Sequence, residues 1–331
     1  MESYFSFVVL IIRNSVLIVT LILCFGLSVI VAEDGIERMV KTDSDPKYIR
    51  NMNYPEHWFR VLRTGIDTAR EYLGNYGPLC VYIIGQEKDE LKSDLIANKV
   101  IDAYCRNRHD KQVGALKDCL KNKGNSLIKR AREGSTEAYL SYVDFTDSPL
   151  SELIFINPHG FPMPYLYTRG IHEYTHVYQR AFSKAPTWLT EGSAEFLAFY
   201  IGDQHKWINF EKSMEESMRM ANSVKEGEAA LIDFEDVNKI ESERPHLKKY
   251  YRHLAYDAGA WAVALLIYKS ESKSVKQFAE NFYPMIEKNG WQSAVSKYSG
   301  FDGIAKFYDE FNLLLKKSDV EQMLLLRSIK P

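Results

Sequence analysis

Cysteine is scarce in this chain. Its 331 residues carry four, Cys24, Cys80, Cys105 and Cys119, and none lies beyond residue 119. A thiolate metal site in the larger C-terminal part is thereby excluded. Charge of one sign is also missing: 42 Lys and Arg stand against 44 Asp and Glu, a net charge of −2 with no basic block. Without an electrostatic footprint of that kind, nucleic acid is not expected as a partner. No internal repeat and no low-complexity segment is present, which removes solenoid and disordered architectures. What remains is ordinary globular composition, 46% hydrophobic and 26% charged, long enough for a sizeable core and one or two domains.

One long apolar run stands apart. Val16–Ala32 is seventeen residues without a charge, and Phe5–Ile12 before it is also apolar. That length is long for a signal-peptide core and at the short limit for a membrane span. Arg13 lies on one side and Glu33, Asp34 and Glu37 on the other, a charge order that sets the N-terminus towards the cytoplasm. Residues 1–32 are therefore expected to be a signal peptide or an N-terminal anchor of an exported protein. Membrane association would run through residues 5–32. Leu23, which is not small, argues against lipidation at Cys24. Residues 33–53, polar with an Asp-Pro pair, read as a linker. Export permits a disulfide; Cys105 and Cys119 could pair, and Cys80, in an apolar run, reads as a buried thiol.

Further along, periodicity gives the elements. Glu56–Leu73 has helical spacing and ends at Gly74. Pro78–Gly85, Thr136–Phe145 and Leu150–Ile156 read as strands, the last as the edge of a cleft. Asp89–Arg106 reads as a helix, and Asp110–Glu133 as a solvated helix and loop. Asn157–Pro164 is a loop in which His159 could face the cleft. From Tyr165 on, the pattern is mostly helical. The expected class is α+β, with a small mixed sheet before a helical C-terminal part, divided as 54–165 and 166–331.

The organising stretch is Arg169–Tyr200. It opens with His172-Glu173-Tyr174-Thr175-His176, an H-E-x-x-H pattern. On a helix, positions four apart share a face, so both imidazoles can bind one zinc ion and Glu173 can reach a water there. Catalytic zinc takes three protein ligands and keeps one position open. Glu191, fifteen residues after His176, is the candidate third ligand. Glu195, one turn later, could accept from the ring of a zinc-bound histidine and orient it.

HExxH followed by Trp188-Leu189-Thr190-Glu191-Gly192-Ser193-Ala194-Glu195 resembles the gluzincin branch of zinc metallopeptidases. The resemblance covers about thirty residues and implies a zincin-like fold, one Zn2+ per chain on His172, His176 and Glu191, Glu195 as an outer partner and a peptide or protein substrate. The gap between the motifs is shorter than in familiar gluzincin aminopeptidases, which leaves Glu195 open as the ligand. No G-x-M-E-N motif precedes the helix, which disfavours an aminopeptidase of that kind. Tyr250–Lys269 resembles the Y-x-x-G-A helix that follows the metal motifs in related peptidases, and it offers Tyr256 first and His253 second as donors to a developing oxyanion. The expected reaction is hydrolysis with Glu173 as general base. Two other readings stay open: a binding module with a structural zinc, and a metal-dependent amidase on a non-protein substrate.

Overall fold

The computed structural model describes residues 39–85, 94–109, 113–143, 150–225 and 227–331. The apolar stretch at 5–32, the beginning of the helix expected from Asp89 and the end of the strand expected through Phe145 lie outside those residues. Among the described residues no helix is long and apolar enough to cross a membrane.

Strands β1 (Val40–Lys41) and β3 (Tyr76–Gly77) form a small antiparallel ladder. The main sheet joins β2 (Lys47–Arg50), β4 (Leu79–Ile84), β5 (Glu137–Val143) and β6 (Leu150–Ile156) in the order β2-β4-β6-β5. β2, β4 and β6 run parallel, and β5 is antiparallel to β6. Two expectations change here. β6 is interior, hydrogen-bonded on both sides, and among the described residues β5 is the edge strand next to it. Ser151–Ile156 are accordingly buried throughout, as interior parallel strands are. The stretch read as a linker also supplies β1 and β2, with Met39 buried in the core.

Each sheet face has its own cover. On one face Tyr82, Ile84, Ile154 and Ile156 pack against α2 (Asp94–His109) and α4 (Asn125–Arg132). Between them lie α3 (Val113–Cys119) and a π-turn, Leu120–Gly124. Leu127, Ile128 and Ala131 are buried, so the segment read as solvated closes this face. Cys105 and Cys119 are bridged, and Cys80 is a buried free thiol whose pKa burial pushes up to about 11.

The opposite face packs on the helical part. α1 (Glu56–Leu73) buries Phe59, Leu62, Ile66, Ala69 and Leu73, and stops where Gly74 takes φ +99°. It crosses α5 (Tyr165–Gln179) backbone to backbone: a Cβ on Gly170 would stand 2.8 Å from the Leu62 carbonyl oxygen. α5 is buried all round, packed between α1, β5 and α6 (Thr187–Gln204). Next come α7 (Phe210–Asn222) and α8 (Val237–Glu243). A second π-turn, Arg252–Ala258, runs into α9 (Gly259–Lys269). Then follow α10 (Val275–Gln277), a third π-turn at Phe278–Phe282, α11 (Tyr283–Asn289), α12 (Trp291–Ser299), α13 (Ile304–Leu315) and α14 (Asp319–Arg327). One apolar core runs unbroken from Val81 and Phe155 of the sheet through α5, α6 and α9. The architecture is thus a mixed sheet preceding the helix that carries His172, Glu173 and His176, with a mainly helical remainder.

Candidate metal centre

α5 and α6 lie side by side, and each presents one turn to the other. From α5 come His172 and His176; from α6 come Glu191 and Glu195. Close approach is secured on the far side of α6, where a Cβ on Gly192 would stand 2.2 Å from the Gly259 carbonyl carbon. Gly192 therefore lets α6 press against the start of α9 beside the centre.

Three atoms meet. His172 Nε2 and His176 Nε2 are 3.2 Å apart, and Glu191 Oε2 lies 3.4 Å from the first and 3.3 Å from the second. Ligands on a tetrahedral zinc, bonded at 2.0–2.1 Å, stand about 3.3–3.4 Å from one another. The triangle has that edge length. Glu191 Oε2 is buried and makes no well-formed hydrogen bond; its nearest groups are the two imidazoles. Burial opposes charge on Glu191 and on His176, yet the imidazoles hold the Glu191 carboxyl well below its usual range, and Glu191 lifts His176 to about 9. The donor set of two nitrogens and one oxygen suits zinc. His172, His176 and Glu191 thus make a triad of zincin type.

The two rings are oriented by different means. His172 Nδ1 lies 3.0 Å from Glu195 Oε2, and Glu195 Oε1 accepts from Arg252 Nη2. Burial opposes ionisation of Glu195, but Arg252 outweighs it and keeps the carboxyl well below its usual range. His176 Nδ1 lies 2.8 Å from Gln179 Oε1. The amide of Gln179 is itself fixed, because its Nε2 donates to the Thr190 carbonyl at 2.9 Å and to the Tyr283 hydroxyl at 2.8 Å. Its oxygen must then face the ring, which places the imidazole proton on Nδ1 and leaves the Nε2 lone pair for the metal.

The other predicted residues fall around this core. Glu173 is 2% exposed; its Oε1 lies 3.7 Å from Arg169, and its Oε2 has no hydrogen-bond partner. Tyr256 stacks on His172, ring centroids 5.6 Å apart and planes 5° from parallel. Burial first, then Glu191, raises its hydroxyl far above the ordinary tyrosine value. His253 is not among the converging ligand atoms; its Nδ1 is buried without a partner. His159 instead faces Tyr54, Nδ1 to hydroxyl 3.5 Å.

Four contributors were not anticipated. Tyr251 donates to Glu191 Oε1 at 3.3 Å. Arg252, Asp257 and Gln179 complete the surround. Gln179 could have been found, since it stands three residues after His176 on the same helix face. Arg252 and Asp257 depend on the π-turn, whose wider turn stacks residues five apart and sets Arg252 Nη2 3.7 Å from Asp257 Oδ1.

Beside His172 and Glu195 a cavity of about 290 Å³ opens between α5, α6, α7 and the π-turn. Asp257 lines it, and burial raises its carboxyl to about 6. Comparison with known protein families, with curated proteins and with solved structures finds no match for this chain.

Proposed function

We propose that this chain is a zinc-dependent peptidase, hydrolysing peptide bonds of an extended peptide or protein. The carrying observation is the equal-sided triangle of His172 Nε2, His176 Nε2 and Glu191 Oε2, with the buried, unpartnered Oε2 of Glu173 on the same helix turn. A zinc ion held by His172, His176 and Glu191 would supply a Lewis acid and lower the pKa of bound water to about 7.

The chain's own groups supply the rest. Glu173 takes the proton of the attacking water and hands it to the leaving nitrogen; Arg169 holds its other oxygen. Tyr256, kept protonated by burial, donates to the oxyanion that develops on the carbonyl. Tyr251 steadies Glu191. Glu195 and Gln179 fix the two rings so that neither reorients as charge develops. β5, the edge strand against which α5 packs, offers free backbone groups to an extended substrate. A purely structural zinc has no use for a buried Glu173 carboxylate, which favours the catalytic reading.

The enzyme works outside the cytoplasm in this proposal, as a secreted or membrane-tethered protein. The charge order around Val16–Ala32 and the Cys105–Cys119 bridge support that placement. The test is cleavage of a random peptide library by the zinc-loaded protein from about residue 33, with and without chelator. Cleavage that zinc restores supports the proposal. Chelator-insensitive cleavage, or none at all in a zinc-loaded protein, rejects it.

A further inference from the structure

The cavity beside the centre holds a demand that the protein leaves unmet. Asp257 is 3% exposed. Its Oδ1 turns to Arg252 at 3.7 Å, Ser217 stands beside the carboxyl, and Oδ2 is buried with no hydrogen-bond partner. A buried carboxylate oxygen is unfavourable unless a donor or cation reaches it. Both cations in the cavity wall are already engaged. Arg252 is held by Glu195 and lies over the Tyr256 ring, 4.6 Å from its centroid. Arg169 faces Glu173 and lies 5.4 Å from the Phe161 ring centroid. The carboxylates Glu195, Asp257 and Glu216 line the cavity against the guanidiniums of Arg169 and Arg252. Three carboxylates thus stand against two guanidiniums in the wall. The volume, about 290 Å³, is at the small end of ligand pockets and admits one side chain. Phe161, Phe199 and Met220 give it apolar walls suited to a methylene stem that carries its charge at the tip.

We infer that this cavity is a specificity pocket for a basic side chain, lysine or arginine, on the residue flanking the scissile bond, with Asp257 at its floor and Glu216 on α7 as the polar recognition groups. The inference rests on the peptidase reading for its function but not for its binding chemistry. Two measurements on the zinc-loaded protein therefore separate them. The first is the cleavage-site profile from the peptide library, read by mass spectrometry. The second is calorimetric binding of argininamide and of norleucinamide, which needs no turnover. Argininamide should bind at least about tenfold more tightly, and cleavage should concentrate beside Lys and Arg. Asp257→Asn should erase the preference in both readouts while zinc content stays at that of the wild type. Should Asp257→Asn fail to fold, Glu216→Lys, on a half-exposed helix position, should reduce argininamide affinity and leave norleucinamide unchanged. Cleavage beside apolar residues, or equal affinity for the two amides, overturns the pocket assignment and leaves the peptidase intact. Selective argininamide binding without any cleavage leaves the pocket and sinks the peptidase.

Discussion

His172 and His176 stand on the same helix, one turn apart, and reach the same point, yet the protein treats them differently. His172 faces a carboxylate, Glu195, whose charge is backed by Arg252 from the π-turn. His176 faces a neutral amide, Gln179, held by a backbone carbonyl and a tyrosine from α11. A carboxylate beside an imidazole makes it a stronger ligand; a neutral amide holds the ring through a hydrogen bond. One ring is therefore anchored by a charged partner and the other by a neutral one. The first anchor borders the open cavity, where substrate and water change the surroundings. The second is enclosed by Thr190, Tyr283 and the buried side of α5, where an unpaired charge would be unfavourable.

The strongest way to break that comparison is to remove a ring. His172→Ala and His176→Ala should each abolish stoichiometric zinc, read by elemental analysis, because two remaining ligands do not close the site. Zinc retained near one per chain in either variant would refute the ligand set. Next in size is Glu173→Gln, which touches neither anchor. Turnover should fall by about 10²–10⁴-fold, the range for a positioned general base, with zinc unchanged. A rate within threefold of the wild type would remove Glu173 from the mechanism.

The comparison itself is sharpened by the outer partners. Glu195→Gln and Gln179→Leu should both weaken zinc, within the roughly 10–100-fold range for such partners, and Glu195→Gln should weaken it more. Glu195→Gln should also change the pH profile of zinc binding more than Gln179→Leu does, since it removes a charge where the other removes a neutral hydrogen-bond acceptor. Equal losses with equal profiles would show that both rings are held by geometry alone. Tyr256→Phe comes last. Zinc content should hold while turnover drops by about tenfold or more, as loss of one oxyanion donor can reach about 10²–10³-fold. An unchanged rate would leave Tyr251, or a backbone donor, to fill the role.

Local patterns carried much of this molecule. The helix at Glu56–Leu73 ends at Gly74 because the apolar spacing and the glycine stop are both written in neighbouring residues. His172 and His176 were legible for the same reason, since a helical turn brings four-apart positions together, and Glu191 was legible from the Trp188–Glu195 motif that follows. What was hidden depends on partners distant along the chain. β2 has only four residues and becomes a strand by pairing with β4 beyond α1, so nothing in Lys47–Arg50 announces it. β6 lies inside the sheet because β5 folds back antiparallel beyond it, a topological fact without local signal. Asp110–Glu133 looks solvated because it is rich in Lys and Arg; its buried stripe of Leu127, Ile128 and Ala131 is short and follows a π-turn. The π-turn at Arg252–Ala258 hid most of the outer site. Its wider pitch breaks the 3.6-residue rule, so Arg252 and Asp257 gave no reason to be placed together.

The central claim, that three side chains of α5 and α6 converge on one zinc ion with a corner left open, is tested most directly by X-ray absorption at the zinc edge of the purified protein, alongside elemental analysis. The account predicts one zinc per chain, bound by two imidazole nitrogens and oxygen ligands at about 2.0–2.1 Å, with no sulfur. A sulfur shell at about 2.3 Å, or zinc retained unchanged in a His172→Ala, His176→Ala double variant, would contradict it.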